Sequence, residues 1–135
     1  APVVSEQNDA LRQSTEIQAG AASLGFDWPD VGGVLDKLAE ELEEMRVAVR
    51  AGDTAHARRE LGDVLLAAVN AARFFDADPA EELTNATRRF SRRFEAVCAE
   101  VARQGRTVES CTLGELDAIW DRVKVGVDQR LENRG

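Results

Sequence analysis

Apolar residues recur along this chain at alternating steps of three and four, the spacing that lines one face of an α-helix. Leu35, Leu38, Leu42, Met45 and Val49 form one such stripe, and Leu61, Val64, Leu65, Ala68, Ala72 and Phe75 form another. Leu11, Ile17, Ala21 and Leu24 precede them; Leu83, Phe90, Phe94, Val97 and Val101, then Leu116, Ile119 and Val123, follow. All are expected to face a core, and no stretch alternates with the period of a β-strand. Punctuation agrees with the periodicity. Gly25, Gly52 and Gly105 stop helices, whereas Asp30, Asp53 or Thr54, Asp78-Pro79-Ala80-Glu81 and Thr112-Leu113-Gly114-Glu115 start them. The pattern predicts an all-α, antiparallel bundle of about five helices. Residues 1–8 read as a flexible tail, 9–135 as the domain, and Gly105 to Cys111 as a connecting loop.

Composition narrows the function. At 135 residues the chain suits one domain. Lys+Arg 17 against Asp+Glu 25 gives a net charge of −8, which argues against bulk binding to nucleic acid or to an anionic membrane. No apolar run approaches the roughly 20 residues that span a bilayer. The first residues lack the basic and apolar regions of a secretory signal. Cys98 and Cys111 have no CxxC spacing and read as reduced thiols of a cytoplasmic protein. His56, the sole histidine, gives them no companion for a metal.

The candidate chemistry lies in two acidic clusters, Glu40-Glu41-Leu42-Glu43-Glu44 and Glu60-Leu61-Gly62-Asp63. Glu41 and Glu44, like Glu60 and Asp63, stand three apart and share a side of a helix. They fall on rows flanking the apolar stripes: Lys37, Glu41, Glu44 and Ala48 on one helix, Glu60, Asp63, Ala67 and Asn70 on the next. Were the helices to lie side by side, these oxygens would converge at the rim of the groove between them. Crowded carboxylates repel, and a hard divalent cation such as Mg²⁺ or Mn²⁺ relieves the repulsion. The alternative is a Glu-rich face that is simply solvated. Gly62 suggests close helix packing or ligand approach at the second cluster, because glycine weakens a helix interior, the alternative being an incidental glycine.

A basic run, Arg88-Arg89-Phe90-Ser91-Arg92-Arg93-Phe94, places Arg89 and Arg93 on one row, suited to phosphate oxygens or else to a solvated face. Trp120 and Lys124 are similarly spaced and offer an indole beside a cation, or a half-buried anchor. Trp28 reads as a hydrophobic staple before the acidic helix. Nothing supports nucleophilic catalysis: there is no GxSxG, no Cys–His pair and no P-loop. One histidine cannot supply a di-iron bundle.

Together, Gly25-Phe26-Asp27-Trp28, Lys37 to Glu44, Glu60 to Asn70, Arg89 to Phe94 and Trp120 to Lys124 resemble the MazG family of nucleoside triphosphate pyrophosphohydrolases. The likeness runs over residues 9 to 125, and is strongest to the carboxy-terminal catalytic domain of two-domain members. It implies Mg²⁺ ligands at Glu41, Glu44, Glu60 and Asp63, with Glu40 as a supporting group or base. It also implies phosphate contacts at Lys37, Arg89, Arg93 and Lys124, and a nucleotide pocket lined by Asn70 and Trp120. Arg89 stands where the family pattern has lysine, Thr87 where it often has asparagine, and His56 where some relatives have lysine. The resemblance further implies a homodimer that completes the bundle, and hydrolysis of (d)NTPs, non-standard or oxidised ones included, to NMP and pyrophosphate. Rival readings are a narrower pyrophosphatase, acting on dUTP or phosphoribosyl-ATP, and a non-enzymatic bundle that binds a protein partner.

Overall fold

The computed structural model describes the backbone of residues 2–134 and the side chains of 10–130 and 132. Five α-helices and two short 3-10 turns, with no strand among the described residues, make the chain all-α. They are α1 (Pro2–Ser23), α2 (Val31–Arg50), α3 (Thr54–Ala72), α4 (Pro79–Arg103) and α5 (Leu113–Arg134). The 3-10 turns are Arg73–Phe75, continuing from α3, and Val108–Ser110, inside the loop expected between α4 and α5. Helical backbone already runs through 2–8, where a tail is expected; that segment has no interior glycine, and its one proline is at the first helical position, where it is tolerated. Among the described residues, no helix is long and apolar enough to cross a membrane.

The helix boundaries follow local chemistry. Asp30 caps α2 by accepting the Gly32 N–H at 2.8 Å, and Asp53 caps α3 by accepting from His56 N–H at 3.1 Å. Thr112 and Glu115 form the expected reciprocal box at the start of α5, at 3.2 and 3.1 Å. Gly52 lies between α2 and α3 at φ 71°, a left-handed conformation that other residues reach only with strain. The link 51–53 is short enough to force α2 and α3 into an antiparallel hairpin.

The chain divides into two compact units, 1–82 and 83–135. In the first, α2 pairs extensively with α3, and α1 packs on α3. In the second, Val97 and Val101 of α4 and Ile119 of α5 form a core, flanked by Val108, Cys111, Leu116, Trp120 and Val123. Cys98 and Cys111 are both free thiols.

The inward faces differ from the expected stripes. In the first unit the buried residues of α2 are Val34, Glu41 and Ala48, and those of α3 are Glu60, Ala67 and Val69. Leu35, Leu42, Val49, Leu61 and Leu65 are exposed, as are Ile17, Leu24 and Phe75. The hairpin closes through the small and acidic row because Ala48 and Ala67 let the backbones approach; the larger aliphatic row points away. On α4, Phe90 and Phe94 are likewise exposed, and only Val97 and Val101 are buried. A Cβ at Gly62 would meet nothing within 4 Å, so close packing does not explain that glycine. Replacing Asp30 by alanine leaves the first N–H groups of α2 without their acceptor; thermal melting is expected to show a loss of about 1 kcal/mol, near 4 °C in Tm (about, for a domain of this size).

Candidate functional site

The α2–α3 hairpin sets the acidic residues level. Glu41 and Asp63 each stand nine residues from the loop end of their helix, and Glu44 and Glu60 each stand six. Residues equally far from the turn of an antiparallel pair meet at one height, since each advances the helix by about 1.5 Å. Oxygens of Glu41, Glu60 and Asp63 accordingly lie within 4.8 Å of one another. Glu41 and Glu60 are 5% and 7% exposed, whereas Asp63 opens to solvent. Glu44 is exposed and outside this trio, though near enough to act electrostatically on both Glu41 and Glu60.

Each carboxylate of the buried pair is half-satisfied. Lys37 Nζ lies 2.9 Å from Glu41 Oε1, and His56 Nε2 lies 3.0 Å from Glu60 Oε1. Glu41 Oε2 and Glu60 Oε2 are fully buried and meet no hydrogen-bond partner among the described residues. Two such oxygens cannot both carry charge without a counter-ion. The pair divides the strain: Glu41 is held below the ordinary carboxylate range, first by its neighbour Glu60 and then by Lys37. Glu60 is pushed up, first by Glu41 and then by burial, against the pull of His56. Lys37 is raised, chiefly by Glu41. Glu40 sits on the outer side of Lys37, 3.8 Å away and well exposed.

Glu41 and Asp63 border a cavity of about 620 Å³, within the range of about 300–1,000 Å³ usual for small-molecule pockets. Lys37, Glu41 and Asp63 line it, with Phe26 and Trp28 from the loop before α2, and Leu66, Ala67 and Asn70 from α3. Gln18 of α1, Asp27 and Arg73 also line it. Trp28 lies against the first turn of α2, so close that a Cβ at Gly33 would fall 2.5 Å from its ring. The loop is tied down by Arg73, whose Nη2 donates to Asp27 Oδ1 at 2.7 Å and whose Nε donates to Asn70 Oδ1 at 2.8 Å. That contact holds Asp27 below its ordinary range. Sequence reasoning did not single out Asp27, Arg73 or Gln18, and it gave Trp28 a packing role alone. The spacing of Asn70 and Arg73, one turn apart, was the available signal.

The remaining predicted residues belong to the second unit. Arg93 donates from Nε to Asp128 Oδ1 at 2.9 Å and lies 5.6 Å from the Trp120 ring centroid. Trp120 is half-buried against the α4–α5 core and 5.4 Å from Phe90. Arg89 is exposed, and Lys124 Nζ lies 3.6 Å from Asp121 Oδ1. Asp128 is held low, first by Arg93, with smaller contributions from Arg89 and Lys124. Arg93 is thus paired with Asp128, and Trp120 packs against the core of the unit.

The model of the MazG nucleotide pyrophosphohydrolase domain matches residues 32–102, which include all but the first residue of the hairpin. A nucleoside triphosphate pyrophosphohydrolase/pyrophosphatase MazG of Thermotoga maritima is 37% identical over 87% of this chain and 45% of its own length. A nucleoside triphosphate pyrophosphohydrolase of Escherichia coli is 36% identical over 85% of this chain and 44% of its own. The chain thus spans less than half the length of these relatives.

The buried pair makes a signed prediction for protein stripped of divalent ions by a chelator. Because Glu60 titrates above its unfolded value, its contribution to stability is complete below the ordinary carboxylate range and is lost as pH rises through its elevated folded value. Glu41, held low, contributes above the ordinary range and loses that contribution as pH falls through its depressed value. Glu60→Gln is therefore expected to raise Tm at neutral pH and to flatten the decline from acid to neutral. A variant that melts with the wild-type pH profile would show that the two carboxylates do not repel.

Proposed function

This chain belongs to the MazG nucleotide pyrophosphohydrolase domain family, and on that premise we propose that it hydrolyses nucleoside triphosphates to the monophosphate and pyrophosphate. The observation that carries the reading is the trio of Glu41, Glu60 and Asp63, two of them buried and each with an unpartnered oxygen. All-oxygen donors of that charge fit Mg²⁺, with Mn²⁺ as a substitute. When bound, the cation supplies charge neutralisation to phosphoryl oxygens and acidity to the attacking water. Glu41, Glu60 and Asp63 would hold it, with Glu44 alongside.

The residues of the chain do the rest. Lys37, kept charged by Glu41, supports the same carboxylates and faces the phosphates from the cavity edge. Glu44 is exposed and acts on both buried carboxylates, which supports it as the acceptor of the water's proton, with Glu40 in a supporting part. Arg89, Arg93 and Lys124 are assigned to phosphate contacts and Trp120 to the nucleotide, as the family resemblance implies. Asn70 and the aromatic loop side chains, lining a cavity next to the trio, support binding of the nucleobase there. We assign the enzyme to the cytoplasm and to nucleotide-pool cleaning, with oxidised and other non-standard triphosphates among its substrates.

The exposed aliphatic row supports a homodimer. Leu35, Leu42, Val49, Leu61 and Leu65 share the outer side of one hairpin, and a second copy would cover them.

Assays with Mg²⁺ across ribo-, deoxyribo- and oxidised triphosphates are expected to release pyrophosphate; inorganic phosphate as the product would place cleavage elsewhere. Glu41→Gln is expected to lower kcat by about 100-fold and to abolish the heat of Mg²⁺ binding in calorimetry. Leu42→Glu with Leu61→Glu places charge in the covered row, and light scattering is expected to report a monomer where the unmodified chain gives a dimer.

A further inference from the structure

The orientation of the Asn70 carboxamide is dictated by chemistry, because the group it meets can only donate. Arg73 Nε donates to Asn70 Oδ1 at 2.8 Å, so the oxygen must face the guanidinium. The Nδ2 amine, with its two N–H donors, is then the end left for the cavity that Asn70 lines. Arg73 is itself fixed: its Nη2 donates to Asp27 Oδ1 at 2.7 Å, its guanidinium lies 5.2 Å from the Phe74 ring centroid, and its side chain is 18% exposed. Gln18 has the opposite polarity. Its Nε2 donates to the Leu66 carbonyl at 3.3 Å and to Ser14 Oγ at 3.1 Å, which leaves Oε1 as the acceptor.

We propose that Arg73, clamped by Asp27, is a positioning residue that locks Asn70 as a hydrogen-bond donor toward an acceptor atom of the nucleobase. The inference deepens the hydrolase reading and rests on it. Arginine is suited to the task, since its planar fork reaches two acceptors at once, whereas lysine offers one compact charge. Without the clamp the carboxamide is free to rotate and to present either end, and substrate binding weakens while the distant carboxylates are untouched.

The test is a double-mutant cycle with Arg73→Lys and Asn70→Ala, alone and combined. It uses the full chain with Mg²⁺ and whichever of ATP, GTP, CTP and UTP gives the highest kcat/KM. Arg73→Lys is expected to raise KM about 10-fold, with kcat changed less than about threefold. In the Asn70→Ala background the same change is expected to add less than about twofold, because the group it acts through is gone. Asn70→Asp keeps the pairing with Arg73 and aims an oxygen at the cavity, so KM is expected to rise at least as far as in Asn70→Ala. Equal fold-changes for Arg73→Lys in both backgrounds, or a wild-type KM in Asn70→Asp, would overturn the positioning role while leaving the hydrolase reading in place. Absence of turnover by the unmodified chain with every triphosphate would overturn both.

Discussion

Two buried carboxylates facing each other across a helical hairpin are the constraint on which the rest of this structure turns. Burial removes the water that would screen Glu41 from Glu60, and Lys37 and His56 satisfy only one oxygen of each. An ordinary hairpin would place aliphatic residues there and gain stability from their burial. This one places alanines and acids there, so packing is given up where these carboxylates gather. Buried like charges are tolerated in proteins where a ligand later compensates them, and perturbed titration in a cleft is a mark of such places.

The neighbouring cavity carries the complementary character. From the trio it passes to Leu66 and Ala67, then to the aromatic loop and the Asp27–Arg73 contact. A molecule with an anionic end and a flat, polar-edged end matches that sequence of surfaces. The loop residues are held from α3 and its 3-10 extension, so the part of the cavity most exposed to solvent is anchored to the helix that also supplies Glu60 and Asp63.

Much of this was legible in the sequence. Asp30, Asp53 and the Thr112–Glu115 box marked helix starts through hydrogen bonds made within a few residues, and local rules suffice for such contacts. The acidic rows were legible because a period of 3.6 fixes which side chains share a side. Which side faces inward was not. Periodicity identifies the apolar side of α2, Leu35 to Val49, but is silent on whether the cover comes from the same chain; within one chain the adjacent row is the closed one. The pairing of Arg73 with Asp27 was illegible for another reason: they lie 46 residues apart, and neither the Gly25–Trp28 turn nor the spacing of Asn70 and Arg73 says that the two meet. Of the readings of Gly62, close packing fails, because the fold leaves open space beside it.

Loops between helices usually accept insertions, since little depends on their length. The three residues joining α2 to α3 are an exception. One residue more or less would turn the second helix by about 100° and carry Glu60 and Asp63 off the side shared with Glu41. Ala51 can vary as long as the turn still closes, whereas Asp53 is tied to its role as the cap of α3, and the number of linking residues sets the geometry that gathers the acids.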